Sequence, residues 1–508
     1  MWIKVTARQP PYTAFWSHRL PFRKPAAAGM SNMSATVIPL SVLPSVEFDA
    51  PLIRKLNQLG PRYTSYPTAD RFSGAFGIAD YERAVAGVRA KTEKRALSLY
   101  LHIPFCNTVC YYCGCNKIVT RDRSKAVTYL DYLKREVAMQ GRLFAGMNQI
   151  EQLHFGGGTP TYLSDEQMDD LMAHLRRWFT FAPDAVGEYS IEIDPRTVSR
   201  ERIHTLRRQG FNRLSLGVQD FDPVVQKAVN RIQPEQQTLD IIAAARAADF
   251  RSVSVDLIYG LPKQTLTTIG QTLDKVIAAD PDRIAIYNYA HMPHLFKPQR
   301  RIAEEDLPDA DTKLEMLFLC IRRLNEAAYI YIGMDHFAKP GDDLAVAQRE
   351  GRLHRNFQGY STHAEADLVS CGVSAISAIG PTYSQNVKTL DVYYDHIDRN
   401  ELPVVRGIEL KADDLLRRQL IQRLMCNFEL SIADIAQTYQ IDFASYFAPE
   451  LEKLRVMQED GLITLDEDWL RVTLKGRLLI RNICMTFDTY LNQKRAAEPE
   501  PLRYSKTI

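Results

Sequence analysis

Four cysteines crowd into one short stretch, Cys106, Cys110, Cys113 and Cys115. The first three stand at the spacing C-x3-C-x2-C, and the fourth closes a C-x-C. Thiolates this close together bind metal, oxidise or act as nucleophiles. A zinc site calls for a second ligand pair at finger-like distance, and none follows; His102 is available but stands inside a run that reads as strand. A structural disulfide suits an oxidising compartment, and the rest of the chain looks intracellular. An iron–sulfur cluster is the third reading: three Cys ligands leave one iron of a [4Fe–4S] cluster without a protein ligand. Spacing favours the cluster over zinc and leaves zinc open.

Other chemically capable residues recur where strands should end. His154-Phe-Gly-Gly-Gly-Thr-Pro160 removes every Cβ from a turn, so its N–H groups can approach a carboxylate or phosphate closely. A tight turn alone also explains the three glycines, and the G-x-G-x-x-G spacing of a dinucleotide site is lacking. Glu192 closes an otherwise apolar run, which is costly unless an arginine pairs with it or a ligand binds it. Asp256 repeats that pattern, Gln219 ends the run Leu216–Gln219, and Arg231 follows. Polar groups at successive strand ends point to one shared pocket.

The elements that must position these groups alternate regularly. Strands are predicted over Ser98–Ile103, Ile150–Phe155, Tyr189–Asp194, Arg213–Val218, Ser252–Ile258 and Arg283–Tyr289, with Tyr329–Phe337 as a further candidate. Helices are predicted over Lys125–Phe144, Asp165–Phe179, Arg200–Gln209, Glu235–Ala248 and Thr265–Ala279. Pro104 ends the first strand, so the cysteines fall in a loop at its C-terminal end. Sequential βα units give a parallel sheet with helices outside. About six units are too few to close an eight-stranded barrel, so an open (β/α)6 barrel over residues 97–340 is expected, in an α/β fold. Residues 341–405 mix loop and strand.

Residues 406–490 read as helix, helix, helix and two short strands, a winged-helix-like order that could suggest DNA binding. Acidic residues outnumber basic ones there, which argues against nucleic acid, and the unit is read as a cover over the barrel. Residues 1–47 are basic and acid-free before Glu47 and are read as a disordered extension, with a transit peptide or a start at Met30 or Met33 as alternatives. Residues 48–96 form an arm, and 491–508 are expected to be a flexible tail. The 508-residue chain is 45% hydrophobic with net charge +2, ample for a core and without general attraction to nucleic acid or membrane. No apolar run approaches a bilayer span. Cys320, Cys371, Cys426 and Cys484 stand singly among apolar neighbours and read as small core residues. A cytoplasmic enzyme is expected.

The C-x3-C-x2-C string, with Tyr112 before its last cysteine, resembles the radical S-adenosylmethionine (SAM) superfamily. The longer strings His102-Ile-Pro-Phe-Cys106 and Cys113-Gly-Cys-Asn-Lys-Ile118, with Arg62-Tyr-Thr-Ser-Tyr-Pro67-Thr68 ahead of the barrel, resemble the oxygen-independent coproporphyrinogen III oxidase family. That resemblance implies Cys106, Cys110 and Cys113 as cluster ligands, with SAM on the open iron, reductively split to a 5′-deoxyadenosyl radical. It implies that Tyr100, Gly157, Glu192 and Ile376 hold this SAM. A second SAM would meet Tyr112, Gly158, Thr159, Gln219, Arg231, Asp256 and Ala290, with Phe357 and Gln358 nearby. Tyr100, Glu192 and Arg231 are the implied catalytic residues, and Cys115 is not a ligand. The implied reaction is oxidative decarboxylation of two propionates of coproporphyrinogen III, on rings A and B, to vinyl groups. The implied partners are an electron donor such as flavodoxin or ferredoxin, with the enzyme a monomer. A tetra-anionic substrate calls for a basic rim, for which Arg196, Arg231, Lys297, Arg300 and Arg301 are candidates.

Two rivals stand beside this reading. One is a heme-binding or heme-chaperone relative without the activity. The other is a zinc-stabilised winged-helix regulator, which iron and sulfide analysis would distinguish.

Overall fold

The computed structural model describes residues 46–92, 95–492 and 504–507. Six parallel strands form its frame: β1 (Leu97–Ile103), β2 (Gln149–Gly157), β3 (Glu188–Ile193), β4 (Arg213–Gln219), β5 (Ser252–Tyr259) and β6 (Arg283–Asn288). Each pairs in parallel with the next, as right-handed βα crossovers require. Asp367–Cys371 adds a parallel neighbour on the far side of β1. Strands Ile376–Ile379, Thr382–Asn386 and Val404–Glu409 extend that edge antiparallel. At the other edge Ile330–Gly333 and His336–Ala338 form an antiparallel hairpin on β6. The single predicted strand Tyr329–Phe337 is therefore two, because Met334 takes φ 53° and turns the chain back. The path ends at Ile330–Gly333 and Val404–Glu409 without joining, so the barrel is open.

Strand alternation creates two faces. Leu97, Leu99, Leu101 and Ile103 of β1 are fully buried in the main apolar core. Ser98, Tyr100 and His102 face the other way, toward polar partners. Ser98 Oγ donates to Gln152 Oε1 on β2 at 2.7 Å, and Tyr100 stacks on His154 at 5.8 Å between ring centroids. Gln152 Nε2 in turn donates to Ser361 Oγ. The barrel thus has an apolar outside packed on helices and a polar lumen.

Local signals set the crossover helices. Ser164, Ser199 and Thr265 accept from backbone N–H groups to cap Asp165–Trp178, Arg200–Gln209 and Leu266–Ala278. Gly210, at φ 109°, ends the second of these in the left-handed conformation.

The C-terminal unit holds helices Ala412–Asn427, Ile432–Tyr439 and Ala448–Glu459 and a three-stranded antiparallel sheet. Arg417 ties it together, bonding Glu450, Asp413 and the carbonyl of Phe487. Tyr63 and Tyr66, both 1% exposed, insert against it and bond Asp488 and Thr489. Two terminal expectations change. Val46 is buried, and Glu47 N donates to Leu474 O, so the chain is already docked before residue 48. Tyr504–Thr507 are not loose: Lys506 bridges Leu59, and Arg481 binds the carbonyls of Ser505 and Lys506. The expectations for residues 1–45 lie outside the described residues. Among the described residues no helix is long and apolar enough to cross a membrane.

Candidate active site

The cysteine loop is a closed structure. Phe105–Cys106 pairs in parallel with Ile118–Val119, and Thr120 N donates to Cys106 O. Between these ends, Cys113 N bonds Cys110 O and Lys117 Nζ bonds Cys113 O. The turn before Arg231 pins the loop from outside: Tyr111 N donates to Val229 O, and Asn230 Nδ2 donates to Val109 O at 2.7 Å.

The glycine run locks against this loop. Gly158 N donates to Ile103 O and Thr159 N to Phe105 O, each at 2.8 Å. A Cβ on Gly158 would stand 2.7 Å from the carbonyl of Pro104, and one on Gly157, at φ 114°, would stand 2.7 Å from the His102 ring. Thr159 Oγ1 reaches Cys106 Sγ at 3.5 Å. His102 is held between Tyr100 OH (3.1 Å) and the carbonyl of Asn116 (3.0 Å), and burial pulls its pKa down.

Glu192 extends from β3 with its side chain 45% exposed, and its Oε1 meets His154 Nε2 at 3.2 Å. Its Oε2 accepts from Gly157 N at 3.3 Å. Asp256, on β5, accepts from Ser215 Oγ at 3.1 Å. Burial, and secondly the charge of Glu192, push its carboxyl up to about 7. Gln219 adopts φ 69° at the end of β4, a conformation seldom taken by residues other than glycine.

Arg231 and Arg196 do not stand at a rim. Arg231 is 6% exposed; its guanidinium meets Asp194 at 3.3 Å and Cys110 Sγ at 3.5 Å. Arg196 binds the same Asp194 at 2.6 Å and Cys110 Sγ at 3.6 Å. Asp194 neutralises part of this charge and fixes both cations on the thiol. Of the remaining rim candidates, Arg300 donates to Pro293 O and Arg301 lies over the ring of Tyr111; Lys297 begins a short 3-10 helix.

Residues Tyr112 and Ala290 are brought together by Gln299, 2% exposed, whose Nε2 donates to both their carbonyls. Sequence reasoning missed Gln299, because nothing in a short 3-10 helix marks it. Phe357 and Ile376 pack against an apolar cluster of Phe72, Tyr383 and Leu410, and Ile376 O accepts from Ser370 Oγ, the register partner of Tyr100. Gln358 sits beside them in sequence with its Nε2 buried and unpartnered. Cys115 is the exposed thiol of the loop, and Cys320, Cys371, Cys426 and Cys484 are buried.

These residues fit an iron–sulfur cluster. N–H and O–H donors from Arg231, Arg196 and Thr159 reach two of the three sulfurs, the kind of donor that a cluster's sulfur ligands accept from. Three sulfur ligands on three separate irons would leave the fourth iron of a [4Fe–4S] cluster without a protein ligand. Arg231 Nε, Asn288 Oδ1 and Gln358 Nε2 are buried without partners, so the lumen is shaped for polar ligands as well.

Comparison with known proteins agrees with this geometry. The radical SAM superfamily profile matches residues 100–276, and the HemN C-terminal domain profile matches residues 410–479. The oxygen-independent coproporphyrinogen III oxidase of Escherichia coli (strain K12) is 51% identical over 449 residues, covering 88% of this chain and 97% of that protein. The enzyme of the same name from Pseudomonas aeruginosa is 50% identical over 453 residues, covering 89% and 97%. The solved structure of coproporphyrinogen III oxidase (HemN) from Escherichia coli, a radical SAM enzyme, superposes with TM-score 0.83 at 50% identity over 88% of this chain and all of that one. The chain belongs to the oxygen-independent coproporphyrinogen III oxidase family of the radical SAM superfamily.

Proposed function

We propose that this chain carries out the oxidative decarboxylation of coproporphyrinogen III, converting the ring A and ring B propionates to vinyl groups and giving protoporphyrinogen IX. The observation that carries this is the loop of Cys106, Cys110 and Cys113, set at the mouth of an open polar barrel beside Gly157 and Glu192. Relatives 42–51% identical carry the oxidase name, which gives the heme-chaperone alternative no support.

The three cysteines would hold a [4Fe–4S] cluster and leave one iron for SAM. Bound there, cluster and SAM supply a radical able to take hydrogen from an unactivated carbon, which no side chain could do by proton transfer. The chain's own work is placement. Tyr100, Gly157, Glu192 and Ile376 would orient SAM, with Glu192 offering an accessible carboxylate to its amino group. A second SAM would be met by Tyr112, Gly158, Thr159, Gln219, Arg231, Asp256 and Ala290. Phe357 and Gln358 would close the neighbouring wall. Arg231 and Arg196 place positive charge against Cys110, where it would stabilise an anionic cluster. With substrate and SAM bound, the lumen would shield the reacting carbon from bulk water. A flavodoxin or ferredoxin would supply the electron, and the enzyme is read as a cytoplasmic monomer.

The test is turnover of coproporphyrinogen III under strictly anaerobic conditions with SAM and a reductant, read by product mass. Two successive losses of a carboxyl group as CO2, each with two hydrogens, support the reading. Unchanged substrate with tightly bound heme would instead favour a heme-handling protein.

A further inference from the structure

Outside the cysteine loop lies a concentration of buried positive charge that the proposed chemistry leaves unused. Arg355 stands on a short strand, His354–Asn356, and is 3% exposed. Its guanidinium lies 4.7 Å from the centre of the Tyr360 ring, yet its Nε and Nη1 are buried with no hydrogen-bond partner. Arg62 comes into the same region from the loop before the barrel and forms an ion pair with Asp335. Arg481 fixes that loop: its Nε donates to Pro61 O, and its other nitrogens to the carbonyls of Gly60, Ser505 and Lys506. Arg481 is thereby saturated and Arg62 is paired, so Arg355 remains as a buried cation with open donors.

The region is continuous with the candidate active site. Tyr287 stands on β6, which pairs with the β5 strand that carries Asp256, and the charges of Asp256, Arg62 and Arg355 all reach its buried hydroxyl. His336, with its Nδ1 unpartnered, packs edge-on to both Tyr287 and Tyr360. Burial and the charges of Arg355 and Arg62 hold it neutral. The wall is thus aromatic and cationic, with Asp335 as the carboxylate that pairs with it.

A buried guanidinium with unmet donors is costly on its own and is satisfied by an anion. The anion that a planar guanidinium fits best here is a carboxylate, held by charge-assisted hydrogen bonds. We infer that Arg355, with Arg62 beside it, forms a carboxylate subsite that anchors a propionate of the porphyrinogen inside the barrel, across the lumen from the cysteine loop. This rests on the function proposed above. It replaces the basic rim expected from sequence with an internal anchor, so the macrocycle is oriented by a propionate other than the one that reacts.

The test uses the anaerobically reconstituted holoenzyme and compares wild type with Arg355→Met and Arg355→Lys. A charge-assisted hydrogen bond is worth a factor of about 10 to 150, so Arg355→Met should raise the KM for coproporphyrinogen III by that order. The KM for SAM should stay put, and Arg355→Lys should recover part of the loss. The tetramethyl ester of the substrate should bind wild type as weakly as the acid binds Arg355→Met. If Arg355→Met does not fold, the Lys variant and the ester with wild type carry the comparison. A rise confined to the KM for SAM would show that the subsite takes the amino-acid carboxylate instead. Unchanged KM values in an active enzyme would overturn the subsite alone, whereas a wild type that never turns over coproporphyrinogen III overturns the function proposal and the subsite with it.

Discussion

Replacing Gly158 by alanine tests whether the glycine run exists to seat the cysteine loop. The added Cβ would meet the Pro104 carbonyl carbon and oxygen at 2.7 Å and Phe105 O at 2.8 Å. Ordinary contact begins at 3.4 Å, so the two backbones must separate by about 0.7 Å. Both obstacles are main chain, so neither can swing aside. That shift stretches the 2.8 Å bonds from Gly158 N to Ile103 O and from Thr159 N to Phe105 O past useful range. Two lost bonds at about 1 kcal/mol each, with about 1–3 kcal/mol of overpacking, give roughly 3–5 kcal/mol. A chain with a typical stability of about 5–15 kcal/mol should survive this folded. Cys106 directly follows Phe105, however, and moves with it. The assay is iron and acid-labile sulfide per chain after anaerobic reconstitution, alongside the denaturant midpoint of the apoprotein. Both should fall. Gly87→Ala, in a helix and with nothing within 4 Å of the added carbon, should leave both unchanged or raise the midpoint slightly. Full iron and an unchanged midpoint in Gly158→Ala would refute the close-approach argument.

Three further outcomes follow from other contacts. Glu136, fully buried, accepts from Gly372 N, Asn386 Nδ2 and Tyr393 OH, and burial raises its carboxyl from 4.5 to about 7. Its contribution is therefore full below about pH 4.5 and fades as pH rises through 7, by about 3 kcal/mol; Glu136→Gln should flatten that slope in urea titrations at pH 5 and pH 8, and an identical slope would contradict it. Gln299→Ala frees the carbonyls of Tyr112 and Ala290 and should raise the KM for SAM several-fold with iron content intact; a change in iron content alone would argue against the clip. Cys115→Ser should keep its iron, because only three thiolates are needed, whereas Cys106, Cys110 and Cys113 changed together to Ala should lose it while circular dichroism still reports the barrel.

The barrel strands were legible because each is a short run rich in apolar residues and bounded by turn signals or a helix start. Those signals lie within a dozen residues of the strand they define, and β1 through β6 fall within two residues of their predicted ends. The cysteine loop was legible from spacing alone. The role of the glycines was half visible: their freedom showed, but not that Gly158 faces Pro104, which only the β1–β2 register decides. Arg231 and Arg196 were misplaced at a rim because their partner Cys110 lies 121 and 86 residues away. Arg355 escaped notice for the same reason, and Arg62 stood out only as part of a motif. A lone arginine in a polar stretch carries no sign of burial until the hairpin after β6 and the segment around Tyr63 have been folded over it. The docking of Tyr504–Thr507 likewise depends on Arg481, a contact no local pattern announces.

The proposed function depends on three thiolates holding an iron cluster with one iron left to SAM. The most direct measurement is low-temperature electron paramagnetic resonance of the dithionite-reduced, anaerobically reconstituted protein with and without SAM. A [4Fe–4S]+ signal that changes shape when SAM is added is the predicted result. No such signal, or one indifferent to SAM, would contradict the central claim.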